Sequence, residues 1–490
     1  MSKLKILIAA SEVVPFAKTG GLADVVGALP KALRALGHEV IVVMPRYYVV
    51  DREKYRALDG ALGVDMGRDG EAWALVLEGI LPSSDIPIYF IEHEGYFGRS
   101  GLYDDGQEAY QDNPQRFVFF SKAVMQLSKK LHFQPDIVHA NDWHTALIPL
   151  LLNTMYAHDS HFHNTASVLT IHNLQHQGRF KKDVMEVLGI GWGNFNTYEL
   201  EDHDGVNFLK GGIVHADAIT TVSPKYSQEI RGPAFDWGLK DVLNAHANKL
   251  HGILNGVDYE EWSPVTDHYI AQKYSAEDLS GKKVCKAELQ KIFNLPVREE
   301  VPLFGFVGRL AEQKGIELLA HEIWNLLDMD IQIVLLGAGE GWAEGFFSHV
   351  SDVHRGKFGC YIGYRNDIAH QIEAGCDFFL MPSLFEPCGL NQIYSLSYGT
   401  LPIVRATGGL DDTIENYNPH DNTGTGFKFY ESSPQALYGT VTWAVDTWYN
   451  NKNAIHTLIQ NAMKKHFGWD DTARVYEHVY YEALGQRYKH

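Results

Sequence analysis

The residues with the most chemical potential are a few cations and carboxylates on glycine-bearing turns. Lys18-Thr19-Gly20-Gly21-Leu22-Ala23-Asp24 follows an apolar run, Leu4 to Ala10. It opens a helical pattern that puts Leu22, Val25, Val26, Leu29, Leu33 and Leu36 on one face. Strand, glycine turn and helix together expose backbone N–H groups to an anion. Paired glycines let a ligand approach the main chain, and Lys18 adds a mobile positive charge. The same turn recurs as Thr407-Gly408-Gly409-Leu410-Asp411-Asp412, after the apolar run Leu401 to Val404. Two such turns at opposite ends of the chain predict two similar domains facing each other.

A second cationic loop, Gly308-Arg309-Leu310-Ala311-Glu312-Gln313-Lys314-Gly315, follows the apolar run Leu303–Val307. At a strand's carboxyl end, Arg309 and Lys314 can point into a crevice and suit a diphosphate, one as a planar fork and one as a point charge. The other reading is a surface salt-bridge loop. Phe385-Glu386-Pro387-Cys388-Gly389-Leu390 follows a strand and leads into a helix near Gly389. Its Glu386 has two readings: a fixed carboxylate for sugar hydroxyls or developing positive charge, and a helix-start carboxylate favoured by the dipole. Cys388 beside it is either a reactive thiol or a buried inert one. Asp142 and His172-Asn173 end two further strands, but no GxSxG elbow supports a triad. His158, His161 and His163 lie in a polar loop without the partners a metal site needs.

These loops require a scaffold of buried strands. Val40–Met44, Ile137–Ala140, Ser167–Ile171, Ala218–Val222 and Leu250–Leu254 read as strands of the first half. Leu75–Leu81 and Ile88–Ile91 read as a hairpin-like insertion, Gly95–Pro114 as a loop over the strand ends, and Gln115 to Leu131 as a helix. In the second half, strands at Leu303–Val307, Ile331–Leu336, Cys360–Ile362, Phe378–Met381 and Leu401–Val404 alternate with helical patterns. That is the signature of βαβ units and a parallel sheet, whose carboxyl edge is where ligands bind.

At 490 residues the chain exceeds a single core. Its 45% hydrophobic and 21% charged residues are those of an ordinary globular protein, so the class must come from the motifs. A net charge of -19 with no dense basic run argues against nucleic acid as a partner. No apolar stretch approaches the roughly 20 residues of a membrane span. The run after Met1 reads as the first strand rather than a signal peptide. Cys285, Cys360, Cys376 and Cys388 form no CxxC pair, which fits a reducing, cytoplasmic setting.

Taken in order, Lys18-Thr19-Gly20-Gly21-Leu22, His172-Asn173, Gly308-Arg309-Leu310 with Gln313-Lys314-Gly315, Phe385-Glu386-Pro387-Cys388-Gly389 and Thr407-Gly408-Gly409-Leu410 closely resemble the bacterial members of the ADP-glucose-using glycogen/starch synthase family. The resemblance implies an α/β GT-B fold, two Rossmann-like domains facing across a deep cleft. It places the N-terminal domain, on the acceptor side, at residues 1–255 and the C-terminal donor domain at 256–466. A helical tail at 467–490 packs back on the first domain. The implied reaction moves glucose from ADP-glucose to the nonreducing end of an α-1,4-glucan, glycogen or a maltooligosaccharide, with retention of configuration. No metal or other cofactor is implied.

On matching positions, Arg309 and Lys314 would hold the diphosphate and Glu386 the donor sugar. Lys18, with Gly20, Gly21 and Asp24, would reach the donor from the other domain. Backbone N–H groups of Cys388, Gly389, Leu390, Gly408 and Gly409, next to Thr407, would meet sugar or phosphate. Tyr364 matches a position that stacks on adenine, and Asp142, His172, Asn173 and Asn255 would line the crevice. Lys18, Asp142, His172, Arg309, Lys314 and Glu386 form the catalytic set. The wider retaining GT-B pattern carries a second glutamate eight residues after the first, and here that position is Tyr394. Met1 stands almost at the first strand, with no transit or starch-binding extension, so the bacterial form is the closer match.

The chemistry is consistent with this. Fixed cations on a departing diphosphate are preorganised electrostatics, and excluding water, by closure on a hinge near Asn255–Pro264, protects the glucosyl group from hydrolysis. No carboxylate stands out as a nucleophile, which fits a front-face route. The competing enzyme readings are a transferase using UDP-glucose or another acceptor, and an NAD-dependent oxidoreductase. Ser11-Glu12-Val13-Val14-Pro15 after the first strand, in place of GxGxxG, argues against the latter. A glucan-binding protein with a decayed site is the non-enzyme reading, and the complete set of Lys18, Arg309, Lys314 and Glu386 argues against decay.

Overall fold

The first apolar run folds as the strand Lys5–Ala9, buried from Ile6 onward because it lies inside a ten-stranded sheet. The computed structural model describes residues 3–488. From Lys5–Ala9 the chain winds outward through Glu39–Pro45 and Pro87–Glu92. It then returns and winds the other way through Ile137–Asn141, Ala166–Ile171, Ala218–Thr221 and Leu250–Gly252, all parallel. Strands covered on both faces must be apolar throughout, as Val-Ile-Val-Val-Met at 40–44 is. Glu71–Ile80 pairs antiparallel with Pro87–Glu92 and carries Arg56–Ala57 and Leu62–Asp65. The hairpin expected here therefore exists but is no insertion. Its second strand is a parallel member of the main sheet, because Val42–Pro45 pairs with Ile88–Ile91.

Leu303–Val307 begins the second sheet, six parallel strands. The chain winds one way through Gln332–Gly337 and Phe358–Ile362. It then winds the other way through Phe378–Met381, Leu401–Arg405 and Phe427–Phe429. Both sheets are thus doubly wound, with the reversal beside their first strand. The crevice outside the strand ends at that reversal is where open α/β sheets bind ligands.

Among the described residues, the first compact unit holds those up to Val222, Ser227–Gly256, and those from Trp469 on. The second holds Ser223–Tyr226 and Val257–Gly468. No sequence feature pointed to the short segment Ser223–Tyr226. The helix Trp469–Arg487 lies against the helix Gly21–Ala35 and the strands Ala166–Ile171 and Ala218–Thr221. Tyr480 fastens it, its hydroxyl 2.9 Å from Nδ1 of His139. His139 Nε2 meets Thr170 Oγ1, which bonds Thr220 Oγ1 at 2.6 Å. Burial pushes the His139 pKa down to about 3, so this ring joins sheet and helix as a neutral imidazole.

Candidate active site

In the first unit the strand Lys5–Ala9 runs into Ser11 and Glu12, and the side chain of Glu12 turns back on the glycine loop. Its carboxylate accepts from the N–H and hydroxyl of Thr19, from the Gly20 N–H at 3.2 Å and from the Tyr103 hydroxyl at 2.7 Å. The Thr19 and Gly20 N–H groups therefore do not stand open to an anion, as the sequence had suggested, but hold the protein's own acid. Sequence reasoning missed Glu12, although an acid in an apolar stretch at a strand's carboxyl end was a usable signal. Lys18 is not freely mobile. Its Nζ lies 2.7 Å from Asp24, while half of its side chain stays exposed. Burial raises the Asp24 pKa, and Lys18 works against that rise. A Cβ added at Gly20 or Gly21 would meet nothing within 4 Å, so these glycines leave open space beside the backbone.

Across the reversal point, the strand Ile137–Asn141 ends at Asp142, a left-handed residue with φ +53. This backbone turn aims its carboxylate at the neighbouring strand end, where Oδ1 accepts the His172 N–H at 2.7 Å. Burial pushes the Asp142 pKa up to about 7, opposed by the N–H groups of His172 and Asn173. Burial likewise pushes His172 down to about 3, so its ring is neutral. Its Nε2 sits 2.9 Å from Asn141 Oδ1, whose amide nitrogen donates to the Ala9 carbonyl. That orientation assigns the proton to Nε2 and leaves Nδ1 as an acceptor. Asn173 caps the next turn through Gln175 N–H at 3.0 Å. Asn255 is buried, and its Oδ1 has no protein partner.

In the second unit, Leu303–Val307 delivers Arg309, exposed and bonded through one guanidinium nitrogen to Gln313 Oε1 at 3.0 Å. Lys314 Nζ lies 2.7 Å from Glu386 Oε2, and that oxygen also accepts from Ser383 at 3.0 Å. The two residues expected to serve phosphate and sugar separately are thus one ion pair, with Glu386 buried and Lys314 only partly so. Buried carboxylates require such a partner. The two loops are sewn together: Leu384 N–H donates to Gln313 O at 2.9 Å, and Arg405 donates to the carbonyls of Ser383 and Leu384. Arg405 carried no sequence signal, because it acts on main-chain atoms of a loop remote in sequence.

The Thr407-Gly408-Gly409 turn lies on the Glu386 loop. The Gly409 N–H donates to the Glu386 carbonyl at 3.1 Å. Gly408 has φ +46, and a Cβ there would stand 1.9 Å from that same carbonyl. The Gly409 N–H, expected at sugar or phosphate, is therefore engaged within the protein. The helix after Glu386 starts at Asn391, slightly later than expected, and Gln392 holds the Cys388 and Gly389 carbonyls at 3.1 and 3.0 Å. Cys388 is buried, and Leu390 forms the helix cap. Thr407 is buried too, whereas Tyr364 is exposed, its hydroxyl 3.0 Å from Asn366. Ser223 and Lys225 brace the same loops: Ser223 donates to the Pro387 carbonyl at 2.7 Å, and Lys225 N–H to Asp412 at 2.7 Å. Tyr394 stacks on Trp262 with centroids 3.9 Å apart, and the other face of Trp262 carries His370 at 3.8 Å. Of the loop histidines, His161 bonds Ser128 and the Phe133 carbonyl at 3.0 and 3.1 Å, a structural use.

Two family models match this chain: the starch synthase catalytic domain over residues 5–245 and glycosyl transferases group 1 over residues 288–465. The chain is 56% identical to glycogen synthase 1 of Geobacter metallireducens over 489 residues, 99% of this chain and 97% of that one. It is 46% identical to the glycogen synthase of Treponema denticola, covering 99% of both. Among solved structures it superimposes on the catalytic domain of starch synthase IV from Arabidopsis thaliana, bound to ADP and acarbose. That match has a TM-score of 0.90 and 31% identity, over 99% of this chain and 100% of the other. Sucrose-phosphate synthase from Thermosynechococcus elongatus shares the fold at a TM-score of 0.60 and 16% identity, over 99% of this chain and 100% of the other.

Proposed function

The chain belongs to the glycogen/starch synthase family and has its GT-B fold, and from that premise we propose which donor it uses and which residues serve it. The reaction is glucosyl transfer in glycogen elongation. The donor is ADP-glucose, the acceptor is the nonreducing end of an α-1,4-glucan, and configuration is retained. Arg309 and Lys314 take the diphosphate, Glu386 the hydroxyls of the donor sugar, and Tyr364 the adenine. Backbone at Cys388, Gly389, Leu390, Thr407 and Gly408 completes the donor loops. Lys18, with Gly20, Gly21 and Asp24, serves the reaction from the first unit, together with Asp142, His172, Asn173 and Asn255.

The observation that carries this reading is the Lys314–Glu386 pair at 2.7 Å with Arg309 exposed beside it, at the point where the second sheet reverses. As the bond from sugar to phosphate breaks, negative charge grows on the diphosphate. Positive charge held in place there lowers the barrier without reorganisation. Glu386, neutralised by Lys314, remains a hydrogen-bond acceptor for sugar hydroxyls. On the first unit, neutral His172 offers Nδ1 to a hydroxyl. Asp142, already taken up by the His172 N–H and pushed up to about 7, is a poor nucleophile. That favours departure and attack on one face of the sugar over a covalent glucosyl-enzyme. The chemistry requires no metal. The cytoplasm is the proposed setting: the four cysteines are free, and no helix among the described residues is long and apolar enough to cross a membrane.

The test is incorporation of labelled glucose into glycogen from ADP-glucose and from UDP-glucose, with and without a chelator. Release of ADP with polymer growth, unaffected by the chelator, is the expected result. A preference for UDP-glucose, loss of activity with the chelator, or a trapped covalent intermediate would each overturn the corresponding part.

A further inference from the structure

Gln392, the second residue of the helix Asn391–Ser397, is fully buried. Its neighbour Asn391 donates to the Val307 carbonyl at 2.9 Å, which ties the helix start to the first strand of the second sheet. From that fixed point the Gln392 amide folds back under the loop that precedes it. Nε2 lies 3.1 Å from the Cys388 carbonyl, 3.0 Å from the Gly389 carbonyl and 3.2 Å from Thr413 Oγ1. Carbonyls only accept, and Thr413 gives its hydroxyl hydrogen to the Gly409 carbonyl at 2.6 Å. All three partners are therefore acceptors, and the end that faces them is the NH2. Oε1, at the other end, is buried and has no hydrogen-bond partner among the described residues.

For stability alone this is a poor arrangement. Two N–H hydrogens are divided among three acceptors, while a buried oxygen goes unpaired. The benefit falls on the backbone of the loop. A trans peptide puts its C=O and the following N–H on opposite sides. Holding the Cys388 carbonyl thus aims the Gly389 N–H away from Gln392, and holding the Gly389 carbonyl does the same for the Leu390 N–H. That side is the more open one, because Gly389 and Leu390 are half-buried while Gln392 is fully buried. Gly389 is left-handed at φ +72, and Leu390, at φ -120 and ψ -33, returns towards the right-handed region. Successive N–H groups in that alternation form a concavity that suits an anion. A Cβ on Gly389 would stand 2.5 Å from Gln392 Oε1, so the amide occupies the place a side chain would need.

We propose that Gln392 is a positioning residue for the donor: by holding two carbonyls from behind, it turns the Gly389 and Leu390 N–H groups towards the diphosphate of the sugar nucleotide. This rests on the reading that a nucleoside diphosphate sugar is the donor. Gln392 itself touches no substrate. It acts through two peptides, which are free to turn once its N–H donors are gone.

The experiment compares wild type with Gln392→Met, which keeps the length and volume of the side chain and removes the donors. ADP and adenosine serve as competitive inhibitors against ADP-glucose. In the variant Ki for ADP rises roughly tenfold, the scale of a lost hydrogen bond to a charged group. Ki for adenosine, which carries no phosphate, and KM for glycogen both stay within about twofold. A general loosening of the second unit would raise the two Ki values together. Gln392→Leu is the second apolar replacement should the methionine variant not fold. Equal rises for ADP and adenosine, no rise for either, or failure of both variants to fold overturns the proposal. Should UDP-glucose prove to be the donor, the donor reading fails, and UDP and uridine replace the two inhibitors with the same expected split. Should the chain transfer no glucose, calorimetric titration with ADP decides instead. A tenfold weaker affinity in Gln392→Met supports the proposal, and no binding by wild type removes it.

Discussion

Thr-Gly-Gly-Leu occurs twice, and the two copies use their glycines for opposite purposes. At residues 19–22 the loop is held from below by Glu12, and the space above Gly20 and Gly21 is empty to 4 Å. At residues 407–410 the space is filled by the protein itself. Gly408 stands under the Glu386 carbonyl, and a Cβ on Gly409 would be 2.0 Å from that of Cys388. One loop keeps room for a ligand; the other supports the loop that carries Glu386. A motif fixes backbone possibilities, and the neighbours decide which one is used.

The largest effects should come from the charges those loops present. Lys314→Ala and Arg309→Ala each lower kcat roughly 10²–10³-fold, the scale for removing one preorganised electrostatic contact. They differ in stability. Lys314→Ala leaves Glu386 buried without its cation and lowers the melting temperature, whereas exposed Arg309 is removed at little cost. Equal melting temperatures would show that the Lys314–Glu386 pair is not held as described.

The glycines test the comparison directly. Gly408→Ala should destabilise the second unit by about 1–3 kcal/mol and cut activity with it, because Glu386 moves with the displaced carbonyl. Gly21→Ala, at the start of a helix, should leave stability unchanged or slightly raised while impairing turnover. A stability loss at Gly21 that matches the one at Gly408 would erase the distinction between the loops.

A smaller effect separates the groups at the first reversal point by pH. Folding raises the Asp142 pKa from 3.8 to about 7, so the native state binds the extra proton. The stability this gives is full below pH 4 and is lost as pH rises through 7, a few kcal/mol in all. Asp142→Asn, which stays neutral, should remove this falling component, so that denaturant-measured stability rises more steeply with pH between 4 and 6.5 than in the wild type. His172 runs the other way: unfolded it takes up a proton near 6.5 and folded only near 3, so its contribution favours unfolding progressively as pH falls below 6.5. Smallest is Tyr480→Phe: it removes the hydroxyl from His139 and costs the first unit about 1–3 kcal/mol. Loss of activity there without loss of stability would give the terminal helix a role beyond packing.

The strands of the second sheet were readable because each is a short apolar run set between helical periods. Leu303–Val307 and Phe378–Met381 match their predicted bounds residue for residue. Misreadings came where partners are remote. Pro87–Glu92 looked like half of a hairpin because its parallel neighbour lies more than 40 residues earlier, across Val42–Pro45. Arg309, Lys314 and Glu386 stood out by type and position, but that Lys314 spends its charge on Glu386 could not be read from a spacing of 72 residues.

What the sequence determined by itself was the alternation of buried strands and helices, the polar residues at the strands' carboxyl ends, and, through their order, the family. These depend on local periodicity and residue type, which the chain carries directly. Only the tertiary structure decided which N–H groups remain open, that Glu12 and Glu386 anchor their respective loops, and that Asp142 and His172 are shifted by burial. Each of those is a property of distance and desolvation between segments far apart in the chain, and neither exists until the segments meet.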